Sequence, residues 1–435
     1  MTERCTRPRA VARRRSALAL APALAAMVGL LGACSAQPSA PATTSPTSSA
    51  TSGGATVNPP SPTAAADTTA TAAADPSAAQ APTAHTGAGD LSAQARRAKP
   101  LVYVPNQRAG TVQVIDPKTY RVVATYSVGR SPEHVVPSHD LRTLWVNSDA
   151  GNSMTPIDPS TGKPGKTIAV NDPYNLYFTP DGRYALVMAE ALRRIDVRDA
   201  HTMKLVRSLP IPCAGINHAD YTTDLSTLLV SCEFSGKLAV VDADATRVIT
   251  MINLNTIKTA AATDPAMARS MGGPAGGLVR GANAMPQDVR LSPDGKWFLV
   301  ADMLRNGVWV IDAHTLKYSR FVPTGKGAHG IYPSRDASRI YVSNRDEGSI
   351  SVVDGATLAP LAKWKIPGSG SPDMGGVTAD GKELWLSGRY NSVVYVFDTS
   401  SGKVTHRIPV RPGPHGLLVW PQPGRYSLGH TGNMR

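Results

Sequence analysis

Seven times between residues 116 and 398 the chain writes one short phrase: two or three apolar residues, then Asp, then a turn. The copies are Val114-Ile115-Asp116, Pro156-Ile157-Asp158, Arg194-Ile195-Asp196, Val240-Val241-Asp242, Val310-Ile311-Asp312, Val352-Val353-Asp354 and Val396-Phe397-Asp398. Subtracting successive Asp numbers (116, 158, 196, 242, 312, 354, 398) leaves gaps of 42, 38, 46, 70, 42 and 44 residues. A strand-rich period of ~40 to 45 residues marks a β-propeller.

Each period divides into short strands and turns. Ser292-Pro293-Asp294-Gly295-Lys296 reads as a turn, Trp297 to Ala301 as an apolar strand, Asn306-Gly307 as a second turn, and Val308 to Ile311 as the next strand. A further turn follows the Asp, then a fourth strand such as Tyr318 to Val322. Four such strands make one blade, which buries its faces only against neighbouring blades, so the ring must close. Leu101 to Val104 begins the repeats as a second strand, and His415 to Trp420 ends them as a spare first strand. The expectation is an all-β fold: a seven-bladed propeller of four-stranded blades, closed by pairing the C-terminal strand with the N-terminal blade, which removes both open edges.

Two runs, Val102-Tyr103-Val104-Pro105-Asn106 and Ile340-Tyr341-Val342-Ser343-Asn344, each precede a Gly turn and a Val-rich strand. They resemble the YVTN-repeat family of seven-bladed propellers over about residues 100 to 425. Leu186-Val187-Met188-Ala189 departs most from that pattern. The resemblance implies the fold and leaves the activity open, because the scaffold hosts lactonases, haem and copper oxidoreductases, surface-layer proteins and interaction platforms.

Ahead of the repeats the composition changes twice. Arg4, Arg7, Arg9 and Arg13-Arg14-Arg15 precede an apolar stretch from Ala17 to Leu31, and Leu31-Gly32-Ala33-Cys34 follows. This reads as a secretory leader over residues 1–33. Its end resembles a bacterial lipobox, which implies lipidation of Cys34 and an exported protein anchored to the outer face of the cell membrane. Arg14-Arg15-Ser16 loosely resembles a twin-arginine signal, so the export route stays open. Residues 34–97 are built almost wholly of Ala, Thr, Ser, Pro and Gly, a composition expected to form a disordered tether, glycosylated or bare. The propeller is expected over residues 98–435. Cys213 and Cys232 flank a predicted hairpin and are expected to form a disulfide in an oxidising compartment.

The formal charge of +13 includes +5 from the leader (six Arg, one Glu), and the tether contributes −1 (Asp67, Asp75, Asp90, Arg96, Arg97), leaving +9 on the propeller. That balance suits anionic envelope material. No nucleic-acid motif is present, and a closed ring needs no second copy, so a monomer is expected.

First strands line a propeller's channel, and aligning them yields Ser131-Pro132-Glu133-His134, Asp172-Pro173-Tyr174-Asn175, Gly215-Ile216-Asn217-His218, Met285-Pro286-Gln287-Asp288, Gly327-Ala328-His329-Gly330, Ser371-Pro372-Asp373-Met374 and Gly413-Pro414-His415-Gly416. Four of the chain's ten His fall in two adjacent columns. The expected channel mouth is therefore Glu133, His134, Tyr174, Asn175, His218, Gln287, Asp288, His329, Asp373, Met374 and His415. Residues 255–282, a further insertion, are expected at the same entrance, as a lid or a plain excursion.

No Gly-x-Ser-x-Gly elbow, His-Glu-x-x-His helix or phosphate-cradling Gly loop occurs. No catalytic residue is assigned and no cofactor is expected. The first reading is a lipid-anchored, non-catalytic scaffold binding a protein, peptide or cell-envelope ligand at the mouth. The alternative is a metal or haem protein, redox or lactonase-like, with His134, His218, His329 and His415 as candidate ligands. In fold and His use it resembles the propellers of nitrous oxide reductase and dissimilatory nitrite reductase, without their full ligand patterns.

Overall fold

The computed structural model describes residues 82–259 and 282–435. The leader with Cys34, the tether up to residue 81 and most of the 255–282 insertion lie outside the described residues. Among those described, seven antiparallel sheets make the seven blades, and the main strand order follows the chain in every sheet except the first, whose inner edge is a strand from the end of the chain. In a typical blade Trp297–Asp302 and Gly307–Asp312 are buried almost throughout, whereas the outermost strand Tyr318–Pro323 is largely half-exposed. Middle strands lie between two neighbouring blades and carry Val, Ile and Leu on both faces; outer strands meet solvent and take polar residues. The second blade differs: its outer strand is broken into Lys163–Pro164 and Ile168–Ala169, both paired with Ser153–Asp158, where Pro164 and Gly165 interrupt the ladder.

The ring closes as expected. Leu418–Trp420 pairs with the first blade in the register Leu101 with Trp420, Val102 with Val419 and Tyr103 with Leu418.

One repeat assignment is corrected. The third-strand Asp that pairs with the start of the second strand is Asp242, Asp312, Asp354 or Asp398 in four regular blades, but in the third blade Tyr184 pairs with Asp199 and not with Asp196. The sequence phrase falls three residues early in this blade because Ile195-Asp196 mimics it. With Asp199 in place, the gaps from 158 to 199 and 199 to 242 become 41 and 43, which evens the period. Asp196 is instead buried, ion-paired to Arg194 at 2.8 Å and accepting from Ser208 Oγ at 2.6 Å. The seven turn carboxylates do one job. Asp116 accepts from Lys118 N at 2.8 Å, Asp199 from Thr202 N at 2.8 Å and Asp398 from Ser401 N at 2.8 Å. Donors in an Asp-initiated turn stabilise the charged carboxylate.

After closure the chain turns back across the channel. Phe178 N donates to Leu428 O at 3.1 Å, Ser427 N to His139 O at 3.2 Å, and Asn433 Nδ2 to Ala219 O at 3.1 Å. Arg435 Nη2 reaches Asp220 Oδ1 at 2.9 Å. This strap carries the short 3₁₀ turn His430–Gly432 into the ring, against the first strands of the second, third and seventh blades. At the other end, residues 82–97, read from composition as the close of a tether, are packed on the propeller. Thr83 Oγ1 donates to Pro293 O at 3.2 Å, and Ala95 is buried with Tyr103 and Trp420.

Cys213 and Cys232 form the expected disulfide, with Cα atoms 6.0 Å apart across 19 residues. A loop of that length implies about 3 kcal/mol of stabilisation. The Cys213→Ser, Cys232→Ser double variant is expected to lose about 2 to 4 kcal/mol in urea unfolding; a loss below about 0.5 kcal/mol would show that the fourth blade does not depend on the link. A second expectation concerns acid. Hydrogen bonds from Ser400 and Ser401 hold the Asp398 carboxyl down at about 2, below the roughly 3.9 of an unfolded Asp. The folded value is depressed, so its contribution is present above pH ~4 and is lost as pH falls through about 2. Melting temperature should drop between pH 4 and pH 2, and Asp398→Asn should make that drop shallower; an unchanged slope would refute the assignment.

Candidate metal centre

The expected mouth residues sit on the first strands themselves, Pro132–Pro137, Pro173–Phe178, Ile216–Tyr221, Pro286–Leu291, Ala328–Pro333 and Pro372–Val377, or just before Leu418–Trp420. Apart from half-buried Tyr174, all are buried. They divide by what they touch.

Asn175 and Asp288 are blade-to-blade clamps. Asn175 Nδ2 donates to Asn217 O at 3.1 Å, and Asp288 Oδ2 accepts from Ile331 N at 2.9 Å. Burial pushes the Asp288 carboxyl up to about 7. Gln287 donates to Met285 O at 3.4 Å, and Met374 is packed inside the seventh blade's first strand. The histidines converge. The His134 ring centroid lies 5.4 Å from His218, 4.8 Å from His415 and 4.0 Å from His430, while His329 is 6.2 Å from His218 and 6.0 Å from His415. Five of the chain's ten His thus share one cluster. Tyr174 packs edge-on against His134 at 5.3 Å. A Cβ on Gly416 would overlap the His134 ring, so glycine there makes the approach possible.

Two groups have ligand atoms within 4.8 Å of one another: His134, His218 and His430; and His329, Asp373 and His415. Burial holds all five imidazoles well below their ordinary value, with the neighbouring His and Arg charges adding to it for the most part. They are neutral at pH 7, each with one lone pair available. In the first group the tautomer of His218 is determined. Asn217 Oδ1 already accepts from Ser231 Oγ at 2.7 Å and His218 N at 2.8 Å, and it lies 3.1 Å from His218 Nδ1. An amide oxygen only accepts, so Nδ1 carries the proton and Nε2 presents its lone pair. Both His134 nitrogens and His218 Nε2 are buried without a hydrogen-bond partner.

The second group is tied into a charge network. His415 Nδ1 lies 2.7 Å from Glu133 Oε2, and His329 Nδ1 lies 3.2 Å from Asp373 Oδ1. Arg345 grips Asp373 Oδ1 through Nη2 at 2.7 Å and Nε at 2.9 Å. Arg389 stands further off, 3.8 Å from Glu133 and 3.9 Å from Asp373.

Sequence reasoning missed a second ring. The residue just after each second strand is Gln107, Asp149, Glu190, Glu233, Met303, Arg345 and Arg389 in blade order. Aligning the repeats one position beyond the Tyr-Val-x-Asn run would have found it. His430 had no such signal, because it lies beyond the last repeat. Asn217 Nδ2 donates to Glu233 Oε2 at 2.5 Å and to Glu190 Oε1 at 3.4 Å. Burial, then mutual repulsion, pushes these acids up: Asp149 and Asp172 to about 6, Glu233, raised by burial, to about 7, and Glu190 well above its ordinary value.

The fold and site define a class: a seven-bladed β-propeller with a histidine-packed centre. The chain belongs to the YNCE-like β-propeller family, whose model matches residues 57–200 and 280–424. No curated protein matches it. Among solved structures it is similar to hydrazine synthase of Kuenenia stuttgartiensis, at 18% identity and a TM-score of 0.54 over 70% of this chain and 94% of that one. A functionally unknown protein from Desulfotomaculum acetoxidans is similar at 17% identity and a TM-score of 0.55, over 73% of this chain and 98% of that one. The dihydro-heme d1 dehydrogenase NirN in complex with DHE is similar at 16% identity and a TM-score of 0.51, over 77% and 78%. At such identities the likeness is one of fold alone.

Removing Arg345 leaves the buried Asp373 beside neutral His329 and His415, with Arg389 at 3.9 Å as its nearest ion-paired cation. Arg345→Met is expected to cost about 3 to 5 kcal/mol in denaturant unfolding, the range for stranding a buried charge. A loss under about 1 kcal/mol would show that Asp373 is stabilised mainly by other groups.

Proposed function

We propose that this protein is an extracytoplasmic, transition-metal-binding propeller that holds its ion with His134, His218 and His430. The observation that carries this reading is His134: a neutral imidazole, fully buried, with neither nitrogen hydrogen-bonded and two further imidazoles around it. An unmade hydrogen bond at a buried polar group costs roughly 1 to 3 kcal/mol, and a bound cation would remove that cost. Imidazole donors suit zinc, copper, iron or nickel rather than calcium or magnesium. Bonds of about 2.0 to 2.1 Å to a tetrahedral ion place donors roughly 3.4 Å apart, so the three side chains need to close inward by about an ångström from their present spread. Asn217 would act on His218 as an outer-shell partner, orienting the ring by its Nδ1 hydrogen bond.

A scaffold that meets a protein or peptide at the channel needs side chains at the surface, and the buried histidines favour an ion over a macromolecule. Close packing of His430 against His134 likewise favours an ion over a planar macrocycle such as haem. The compartment follows from the leader-like residues 1–33, the lipobox-like Cys34 and the disulfide, which together support export and anchoring by lipid. No enzymatic step is assigned.

The test is elemental analysis of the exported chain purified without chelator, followed by titration with Zn²⁺ and Cu²⁺. One tightly held ion is expected. His134→Ala and His218→Ala should each abolish it or weaken it more than 10-fold, and Asn217→Ala should weaken it about 10- to 100-fold, the usual cost of losing an outer-shell partner. Absence of stoichiometric binding, or binding indifferent to His134 and His218, would overturn the reading.

A further inference from the structure

The ring that follows the second strands is electrically divided. Going round the propeller, its ionisable members are Asp149, Glu190 and Glu233 on the second, third and fourth blades, then Arg345 and Arg389 on the sixth and seventh. Neutral Gln107 and Met303 separate the two arcs. The division matches the two histidine groups beneath. His134 and His218 come from the second and fourth blades, under the acidic arc; His329 and Asp373 come from the sixth and seventh, under the arginines. The acidic arc is joined physically to the first group, because Asn217 donates to both Glu190 and Glu233 while its oxygen holds His218. On the other side, Asp373 has its charge met by Arg345 at 2.7 Å, and neutral His415 has its Nδ1 2.7 Å from Glu133 Oε2. The unpartnered nitrogens of His134 and His218 point to a ligand on the acidic side; His329 Nδ1 and Asp373 Oδ2 also lack a hydrogen bond, but they lie beside Arg345 and Arg389.

We infer that the divided ring is a selective cation entrance: Asp149, Glu190 and Glu233 draw a single divalent transition ion to the three-histidine site, and Arg345 and Arg389 keep the His329, Asp373 and His415 group free of a second ion. This rests on the metal-binding reading above and specifies how many ions enter and by which side. The physics is that of charge in a low-dielectric cleft. A channel lined by one sign of charge raises the local concentration and on-rate of the opposite sign by about 10- to 1,000-fold, and salt screens the effect. A divalent ion over the arginine arc meets two positive charges; over the acidic arc it meets three carboxylates, able to ionise as it approaches. The second histidine group, with Asp373 beside Arg345 and Glu133 near Arg389, carries no net negative charge to draw a cation.

The experiment is stopped-flow binding of Zn²⁺ to the metal-stripped exported chain at low and high salt, with ion stoichiometry measured in parallel. Wild type should bind one ion, with an on-rate that falls as salt rises. The isosteric Glu190→Gln, Glu233→Gln pair should lower that on-rate about 10-fold at low salt and flatten its salt dependence, leaving the off-rate within about twofold. Arg389→Gln should move the on-rate the opposite way, upward, which no general folding defect would produce. Two ions per chain, of which one is lost with Asp373→Asn, would overturn the inference while leaving the first site standing. So would on-rates unaffected by either substitution. Failure of wild type to bind Zn²⁺ at all would instead sink the metal-binding reading itself.

Discussion

Everything in this molecule depends on how seven inner strands satisfy their backbone amides without forming a sheet with one another. Each first strand pairs with the second strand of its own blade on one side and faces the channel on the other, and buried amides left unpaired are costly. The solution is side chains crossing between blades. Ile331 N donates to Asp288 and Leu291 N to Asp220, at 2.9 and 2.8 Å. Ala219 N and Gly375 N donate to the hydroxyls of Tyr177 and Tyr332, each at 2.9 Å. A propeller centre built this way is polar and buried at once. The same polar residues that hold the ring together are therefore drawn into a low-dielectric space, where any extra polar atom without a partner is an expense that selection has some reason to keep.

That constraint explains how much of the site was legible. Periodicity exposed the blades because burial on two faces demands apolar middle strands, and turns after each third strand demand Asp. The four histidines in the aligned columns do converge, since the columns correspond to one level of the channel. Asn175 and Asp288 occupy the same columns and serve as clamps, a distinction invisible in sequence because clamp and ligand use the same donor atoms. Asp196 mimics the turn residue of its blade because Ile195-Asp196 repeats the phrase; only strand register, Tyr184 opposite Asp199, separates them.

The misses share another cause. Glu190, Glu233, Arg345 and Arg389 lie one residue beyond the most recognisable run in each blade, where the strand gives way to a turn and side-chain direction cannot be read from alternation. His430 lies outside the repeat altogether. Its place depends on a strap of chain that turns back after the closing strand, held by Phe178 N to Leu428 O and by Asn433 to Ala219. Repeat logic describes what recurs, and the centre is completed by a segment that occurs once.

The strap also changes what kind of site the channel can be. An open propeller channel is a water-filled tube, in which imidazoles are solvated and a ligand of any size can approach. Here the strap occupies the channel, brings the His430 ring to 4.0 Å from His134 and leaves Gly416 as the only residue size that His134 tolerates at its side. Excluding water strengthens every electrostatic interaction inside and raises the cost of each unpaired atom. Closure by Leu418–Trp420 and completion of the histidine cluster are thus consecutive acts of one segment: the strand that seals the ring delivers His415 on its way in and His430 on its way back. A centre that draws on the first strands of several blades and on the segment around the closing strand is complete only when the whole ring is shut, which couples the integrity of the fold to the chemistry at its axis.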